Sequence, residues 1–310
     1  AKLLKPNHPA AIRSLGTAYA LMGRYDEAEA TLKNGVTEAA GSPEVAGLAD
    51  LLKTVRANKA GSLLDAKDYD GAIAYYQDLL KSEPDNSELN NGLGIALFNR
   101  AQDRKDAAKR ADFKAAADAY GKAFALKPSS TDLGFNAALS YQYAGELAMA
   151  EGAWRAVLKQ TPDDPEALSS LGATLAEMQK FDEAAQVLNR AVNLKPDNKT
   201  YFRQLGAVYS KSGNNDKATE MLMVYMAMSS GQPAGDVAAA TKTSAKPGTG
   251  AANTLAALGA PDVVYEWQSE GKRIQTWVYT GKKQSYAFDE ASGTLMKKSD
   301  WNAPAAAPKK

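Results

Sequence analysis

The chain has 310 residues, no cysteine and a single histidine, and its formal net charge is +1. These counts exclude disulfides, cysteine nucleophiles and thiolate zinc sites from this stretch of sequence, and they leave almost no material for histidine-based metal sites or Ser-His relays. The nearly balanced charge lacks the concentrated basic surface of a nucleic-acid-binding protein, and no apolar run reaches the roughly 18 residues that predict a membrane span.

The first eight residues, AKLLKPNH, look like the end of a structural unit. Two later segments of the same type, AFALKPSS at 123–130 and AVNLKPDN at 191–198, each close a repeat. We therefore predict that residues 1–8 are a partial unit, in which His8 is a solvated turn residue. An uncapped first unit needs a partner to cover its apolar surface, whereas upstream sequence outside these residues would cover it equally well. Both interpretations stay open.

A periodic pattern follows, marked by Leu-Gly pairs at Leu15, Leu93, Leu171 and Leu205. An alanine and then, four residues later, a large side chain follow each pair. The pattern divides the chain into units at 9–42, 43–86, 87–130, 131–164, 165–198 and 199–230. Each unit carries two blocks of apolar residues at helical spacing, and Pro-Asp turns separate units, so we predict a pair of helices in every unit.

This pattern closely resembles the tetratricopeptide repeat (TPR). Unit 9–42 keeps Leu15, Gly16, Tyr19, Gly23, Tyr25 and Ala28, and unit 165–198 keeps Leu168, Leu171, Gly172, Phe181, Ala184, Ala191 and Pro196. Unit 131–164 departs from it at Ala137-Ala138, and unit 43–86 is the weakest in its first helix. The resemblance implies a mainly α fold, a right-handed helical-repeat solenoid over residues 1–230.

Two units are ten residues longer than the others. In unit 87–130 the extra residues lie near Gln102–Ala111, a charged segment rich in helix formers. If the ten extra residues are helical, they lengthen the unit by about 15 Å. We expect either a solvated helix with internal ion pairs or a lateral contact for a partner.

The composition changes after residue 230. Residues 231–252 are small, polar and rich in Gly and Pro, which is typical of a linker. A short helix at NTLAALG and four alternating strands then predict a small α+β domain with an antiparallel sheet at 253–301, with Trp267, Trp277 and Trp301 in its core. Residues 302–310 are predicted to be a flexible tail. The domain resembles the helix-plus-sheet domain of outer-membrane lipoproteins that accompany β-barrel assembly, which implies an extracytoplasmic location in a bacterial envelope.

No motif favours catalysis, a metal or a cofactor. DAKDYDG at 65–71 lacks the spacing and the final Glu of a calcium loop, and the repeat alignment makes it an inter-helix turn. Gly248-Thr249-Gly250 lies in the predicted linker and is not a phosphate-binding loop. We predict a protein that is not an enzyme and that needs neither cofactor nor metal.

The TPR resemblance implies that the first helix of each unit lines a concave groove for a peptide or helix. By position, the groove would present Arg13, Asn91, Ile95, Phe98, Phe135, Leu139, Gln142, Tyr143, Ser169, Ala173 and Arg203. Its middle is apolar and aromatic, which suits an apolar ligand, or else the groove is filled by the chain's own tail or by nothing. The Lys and Asn pair by which family members hold chaperone carboxylates is absent, which disfavours a co-chaperone role.

Two functions remain, both based on protein partners and neither involving nucleic acid. In the first, the protein is a scaffold that self-associates through its repeat ends into an oligomer or filament, because head-to-tail contacts propagate unless they close. The residues predicted for that contact are Leu3, Leu4, Pro6, Met221, Met223, Tyr225 and Met226. In the second, the protein is a monomeric adaptor of the bacterial envelope that binds a partner peptide or helix in the groove.

Overall fold

The structure, a computed structural model, describes residues 8–301, and for Gln232 and Pro233 it describes the backbone alone. The chain divides into two units, one ending at Lys127 and the other beginning at Pro128. Fourteen helices and five strands lie within the described residues. The sequence prediction of a mainly helical repeat followed by an antiparallel sheet is confirmed.

The first unit consists of three helix pairs. They are α1 (Pro9–Leu21) with α2 (Tyr25–Glu38), α3 (Val45–Asp65) with α4 (Tyr69–Ser82), and α5 (Ser87–Asp103) with α6 (Ala108–Leu126). One apolar core joins the first pair to α3, and it is centred on Leu32, Leu48 and Val55. Each pair therefore covers the apolar face of its neighbour, as stacked repeats require.

The second unit begins with three more helix pairs. They are α7 (Thr131–Ala144) with α8 (Leu147–Gln160), α9 (Pro165–Glu177) with α10 (Phe181–Leu194), and α11 (Lys199–Lys211) with α12 (Asn215–Ser230). The turns between helix pairs carry residues that favour the start of the next helix. At α9, Pro165 occupies the first helical turn while the Asp164 carboxylate accepts hydrogen bonds from the backbone N–H groups of Glu166 and Ala167.

The Leu-Gly pairs mark close contacts between the two helices of a pair. A Cβ atom added to Gly172 would lie 2.5 Å from Cγ of Leu188, and one added to Gly206 would lie 2.8 Å from Cγ of Leu222. The large residue of the second helix thus sits directly on the bare backbone of the first. The same contact joins Gly16 to Leu32 and Gly94 to Tyr120. Because no side chain fits there, glycine sets the distance between the paired helices.

The extra residues of unit 87–130 do not form one continuous helix. Segment Gln102–Ala111 contains the end of α5, a turn, and the start of α6. Asp112, which is buried, accepts hydrogen bonds from Arg100 at 2.7 and 2.9 Å and from Arg104 at 2.8 Å. Arg100 also reaches Asp70 on α4 at 2.5 Å. The charges expected on a solvated surface therefore form an ion network that ties α4, α5 and α6 together.

The C-terminal part of the second unit contains a five-stranded antiparallel sheet in sequence order. Its strands are β1 (Gln232–Pro233), β2 (Val263–Ser269), β3 (Lys272–Tyr279), β4 (Gln284–Asp289) and β5 (Leu295–Asp300). The register pairs Trp277 with Val264 on one side and with Tyr286 on the other, and β5 has a bulge opposite Ala287 and Phe288.

Residues 231–252, predicted to be a linker, are structured instead. They hold β1, helix α13 (Val237–Ser244) and the start of α14 (Gly250–Leu258). Asp236 caps α13 by accepting a hydrogen bond from Ala239 N–H, and the buried Ser244 hydroxyl donates to Gln275 Oε1 on β3. The side chains of α13 are small, so the composition is that of a linker although the helix packs on the sheet.

Both faces of the sheet are covered. On one face, Trp277, Tyr279, Tyr286 and Phe288 pack against α13 and α14. On the other, Trp267, Ile274 and Ala287 pack against Ala227 and Met223 of α12. The sheet thus lies between two helical layers, and one of these layers is the last repeat helix.

Candidate functional site

Three first helices, α7, α9 and α11, lie side by side in the second unit, and side-chain hydrogen bonds join them. The Gln142 amide donates to Glu177 Oε1 at 3.2 Å, which connects α7 to α9. The Ser169 hydroxyl donates to Gln204 Oε1 at 2.6 Å, which connects α9 to α11. We call the outward sides of these helices the first-helix face, defined by Phe135, Leu139, Tyr143, Ser169, Ala173, Arg203 and Ala207. The bonds fix the spacing of this face before any ligand binds.

The α7 part of the first-helix face is apolar and aromatic. Half-buried Phe135 packs edge-on against Trp154 of α8, with 4.9 Å between ring centroids and an interplanar angle of 84°. Trp154 is 1% exposed, so it forms a rigid base for the Phe135 ring. Leu139 is half-buried, and Tyr143 is 52% exposed. The α7 part of the face thus presents exposed Tyr143 and part of the Leu139 side chain to solvent beside the fixed Phe135 ring.

The α9 and α11 parts of the face differ from the α7 part. On α9 the side chains are small, with buried Ser169 and half-buried Ala173. On α11, Arg203 and Ala207 are both exposed, one helical turn apart. Within the part of the chain that the structure describes, Arg203 has neither an ion pair nor a side-chain hydrogen bond. The first-helix face therefore has an apolar end on α7, small side chains in its middle on α9, and a positively charged end on α11.

Four residues predicted for the groove belong to the first unit. Asn91 and Ile95 are half-buried on α5, and Phe98 packs edge-on against Phe113 at 5.3 Å. Arg13 is exposed on α1, and its guanidinium occupies the place where a Cβ on Gly47 would lie. Arg13 thus lies across α3, an arrangement that the repeat pattern does not reveal.

The residues predicted for self-association fall into two groups. Leu3, Leu4 and Pro6 lie outside the described residues. On α12, Met221 is 1% exposed and Met223 packs against the sheet, while Tyr225 is half-buried and Met226 is exposed. The chain's own sheet covers this helix, which the repeat pattern does not indicate. Strands β3 and β4 are buried on both faces, although Gln275, Thr276 and Ser285 interrupt any continuous apolar run in their sequences.

Residues 8–301 contain few other candidates for a functional site. His8 is exposed, and its Nδ1 accepts a hydrogen bond from Ala10 N–H at the start of α1. No group of three or more His, Asp or Glu side chains in the described residues is arranged to hold a metal ion. Within the same residues, no helix is both long and apolar enough to cross a membrane.

Comparisons with known proteins match the repeats. Family models described as tetratricopeptide repeat match residues 11–44, 58–124 and 135–199, which is more than half of the chain. The chain is 29% identical over 163 residues to the "Protein CTR9 homolog" of Arabidopsis thaliana, and 26% identical over 135 residues to the "BBSome complex member BBS4 homolog" of Drosophila melanogaster. These alignments cover 52% and 43% of this chain but only 14% and 26% of those proteins.

A solved structure, "Crystal structure of MamA protein", is also similar. It is 20% identical in sequence, with a TM-score of 0.48 over 56% of this chain and 90% of that chain.

Proposed function

Because this chain belongs to the tetratricopeptide repeat family, we propose that it is a non-catalytic scaffold whose first-helix face in the second unit holds an apolar segment of a partner protein. Tetratricopeptide repeats mediate protein–protein interaction, and the chain spans only part of the relatives that it matches. The observation that carries the proposal is exposed Tyr143 and half-buried Leu139 on the same helix as a Phe135 ring that packs against buried Trp154.

The first-helix face is preorganised for binding. Exposed apolar side chains gain free energy when a partner removes them from water, by about 25 cal/mol per Å² of apolar area. Flexible side chains lose part of that gain on ordering. Here the hydrogen bonds between α7, α9 and α11 and the buried Trp154 fix the frame in advance. Aromatic anchors on a fixed frame are the usual centres of binding energy in protein interfaces.

The shape of the face indicates what the partner segment carries. Neighbouring helices lie about 10 Å apart, so α7 and α11 are separated by about 20 Å. The small residues of α9 leave room for a bulky apolar side chain between them. Arg203 at the far end favours an acidic group, because a guanidinium binds a carboxylate through paired hydrogen bonds. An extended segment of about six residues covers this distance, and a helix needs about thirteen.

A peptide library displayed on phage tests the proposal. The full chain and a Leu139→Glu variant are used as targets in parallel, with Met149→Glu as the matched control, because Met149 is an exposed apolar residue of the second helix α8. We expect the wild-type chain and the control to select the same apolar consensus and Leu139→Glu to lose it. Selection of the same peptides by all three proteins would contradict the proposal.

Self-association through repeat ends has less support. An end-to-end contact through this part of α12 would require the sheet to leave Met223 and Ala227. Light scattering on a sizing column across a hundredfold dilution distinguishes the two functions. A constant mass near the 32.9 kDa of one chain supports the adaptor. Long polymers would support the filament.

We also propose an extracytoplasmic location for the chain. The absence of cysteine and the resemblance of residues 253–301 to the small domain of outer-membrane lipoproteins favour an extracytoplasmic compartment of a bacterium, where stray thiols are oxidised. Fractionation of the source cells, followed by detection with an antibody against the chain, tests this. Recovery in the cytosolic fraction alone would contradict it and would leave the binding proposal intact.

A further inference from the structure

A second candidate binding site lies in the first unit and shares no residue with the first-helix face. It is a partly enclosed cavity of 480 Å³ between α3, α4 and the start of α5. Ala57, Tyr76, Leu79 and Leu89 contribute apolar surface, and Lys53 and Arg56 lie among the polar lining residues. Pockets of this size, lined by apolar groups with a few polar ones, are typical of ligand sites.

The walls of the cavity are held in place. The Tyr76 ring lies on Gly92 of α5, where an added Cβ would be 2.4 Å from two ring carbons. Arg56 donates to Glu29 Oε1 at 2.9 Å and to Glu83 Oε1 at 3.0 Å. These contacts fix one aromatic wall and one charged wall, so the cavity does not depend on a flexible side chain for its shape.

The polar groups of the cavity lining that remain free to bind a ligand are mostly hydrogen-bond donors. The Tyr76 hydroxyl has no hydrogen-bond partner among the described residues, and burial raises the pKa of Tyr76 above its ordinary value. Lys53 is exposed, and its nearest carboxylate, Asp50, is 4.0 Å away. Both oxygens of Glu83 are already occupied, by Arg56 and by the Asn86 amide. Exposed Glu88 is the remaining carboxylate of the lining.

We propose that this cavity binds an apolar side chain of a partner protein that is followed directly by an acidic residue. The apolar side chain would contact Ala57, Leu79, Leu89 and the Tyr76 ring. The acidic side chain would accept hydrogen bonds from the Tyr76 hydroxyl and the Lys53 ammonium. Arg56 is already paired with Glu29 and Glu83, so the Lys53 ammonium is the charge that selects an acidic neighbour over a basic one. The site is independent of the one proposed in the second unit.

Methyl NMR on the full chain, labelled at leucine, tests this proposal with three blocked dipeptides. The probes are acetyl-Phe-Glu-amide, acetyl-Phe-Gln-amide and acetyl-Gly-Glu-amide. We expect acetyl-Phe-Glu-amide to shift the Leu79 and Leu89 methyl signals saturably. The Gln probe should bind three- to tenfold more weakly, and the Gly probe should leave these signals unchanged. Equal shifts from all three probes, or none from the first, would overturn the proposal.

Two variants locate the effect. Ala57→Trp, at an exposed position of α3, fills the cavity and should abolish the shifts. Lys53→Glu should remove the preference for Glu over Gln. Lys81→Glu, an exposed lysine of α4 that does not line the cavity, is the matched control and should keep that preference. If Lys53→Glu retained the preference, the assignment of the acidic subsite would be wrong. Loss of binding by Leu139→Glu in the second unit would leave these results unaffected.

Discussion

Trp301 packs edge-on against Phe202 of α11, with 5.3 Å between the ring centroids and an interplanar angle of 84°. Both side chains are fully buried. The contact joins the end of the described chain to the last helix pair, and the Ser299 hydroxyl adds a hydrogen bond to the backbone carbonyl of Glu220 on α12 at 3.2 Å. The sheet therefore covers the last repeat, a position that is usually taken by a polar capping helix.

Replacing Trp301 should destabilise the second unit. Trp301→Ala removes a fully buried indole and leaves a cavity beside Phe202, which costs about 3–5 kcal/mol for a residue of this size. Chemical denaturation followed by far-UV circular dichroism measures the change. Met296→Ala, at an exposed position of β5, is the control and should change the free energy of unfolding by less than about 0.5 kcal/mol. An effect of Trp301→Ala as small as that of Met296→Ala would show that the Trp301–Phe202 contact does not stabilise the repeats.

Because of the Gly172–Leu188 contact, we expect substitution by alanine to have opposite effects on stability at two glycines. Gly172→Ala forces Leu188 away and should cost about 1–3 kcal/mol by overpacking. Gly152→Ala lies in the middle of α8 with open space around its Cβ, and it should stabilise the chain by up to about 1 kcal/mol through helix propensity. In a Leu188→Ala background, the cost of Gly172→Ala should disappear, and thermal unfolding of the four variants measures this. A persistent cost would show that contacts other than that with Leu188 require the glycine.

Asp112 is predicted to be the most sensitive carboxylate of the first unit. Asp112→Asn leaves Arg100 and Arg104 facing an amide in place of the buried carboxylate that accepts three hydrogen bonds from them. Because both arginines keep partial contact with water, the expected cost is about 2 kcal/mol, below that of a fully buried pair. Asp106→Asn, an exposed carboxylate 4.0 Å from Arg104, is the control and should be nearly neutral by urea denaturation. A neutral Asp112→Asn would mean that the network does not stabilise the joint between α5 and α6.

The stability of the second unit should depend on pH through Glu151. A hydrogen bond from Lys180 at 2.6 Å, assisted by one from Arg155, holds the pKa of Glu151 below its ordinary value of 4.5. The folded state thus binds this proton less readily than the unfolded state does. The contribution of Glu151 is present in full above pH 4.5 and is lost as the pH falls through the folded pKa.

Glu151→Gln tests the sign of this effect. The variant should be less stable than the wild type at pH 7, and the difference should shrink towards pH 3, because the native carboxylate binds its proton as the pH falls through its lowered pKa. Glu38→Gln, at an exposed end of α2, is the control and should track the wild type at both pH values. A difference that is constant between pH 7 and pH 3 would rule out the ion pair as its cause.

The repeats could be predicted from the sequence because their determinants are local. Leu171-Gly172 and Leu188 mark one contact between two helices only about sixteen residues apart, and the same spacing recurs along the chain. The strands alternate apolar and polar residues, so their positions were also predictable. These signals depend on short-range geometry, which one sequence contains.

The covering of α12 could not be predicted in the same way. Met223 and Ile274 lie far apart in sequence, and nothing local to either residue specifies the other. Helix α13 was missed because Ala240 and Ser244 are small and give no apolar periodicity, although the Ser244–Gln275 hydrogen bond fixes the helix on the sheet. The rigid base of Phe135 likewise depends on Trp154 in another helix.

The measurement that tests the proposed binding function most directly is an affinity titration. A fluorescent peptide carrying the apolar consensus selected by the wild-type chain is titrated with the wild type, Leu139→Glu and Met149→Glu, each confirmed as folded by circular dichroism. We expect Leu139→Glu to weaken binding at least tenfold, about 1.4 kcal/mol, with Met149→Glu within twofold of the wild type. Equal affinities of the three proteins would contradict a binding site on α7, α9 and α11.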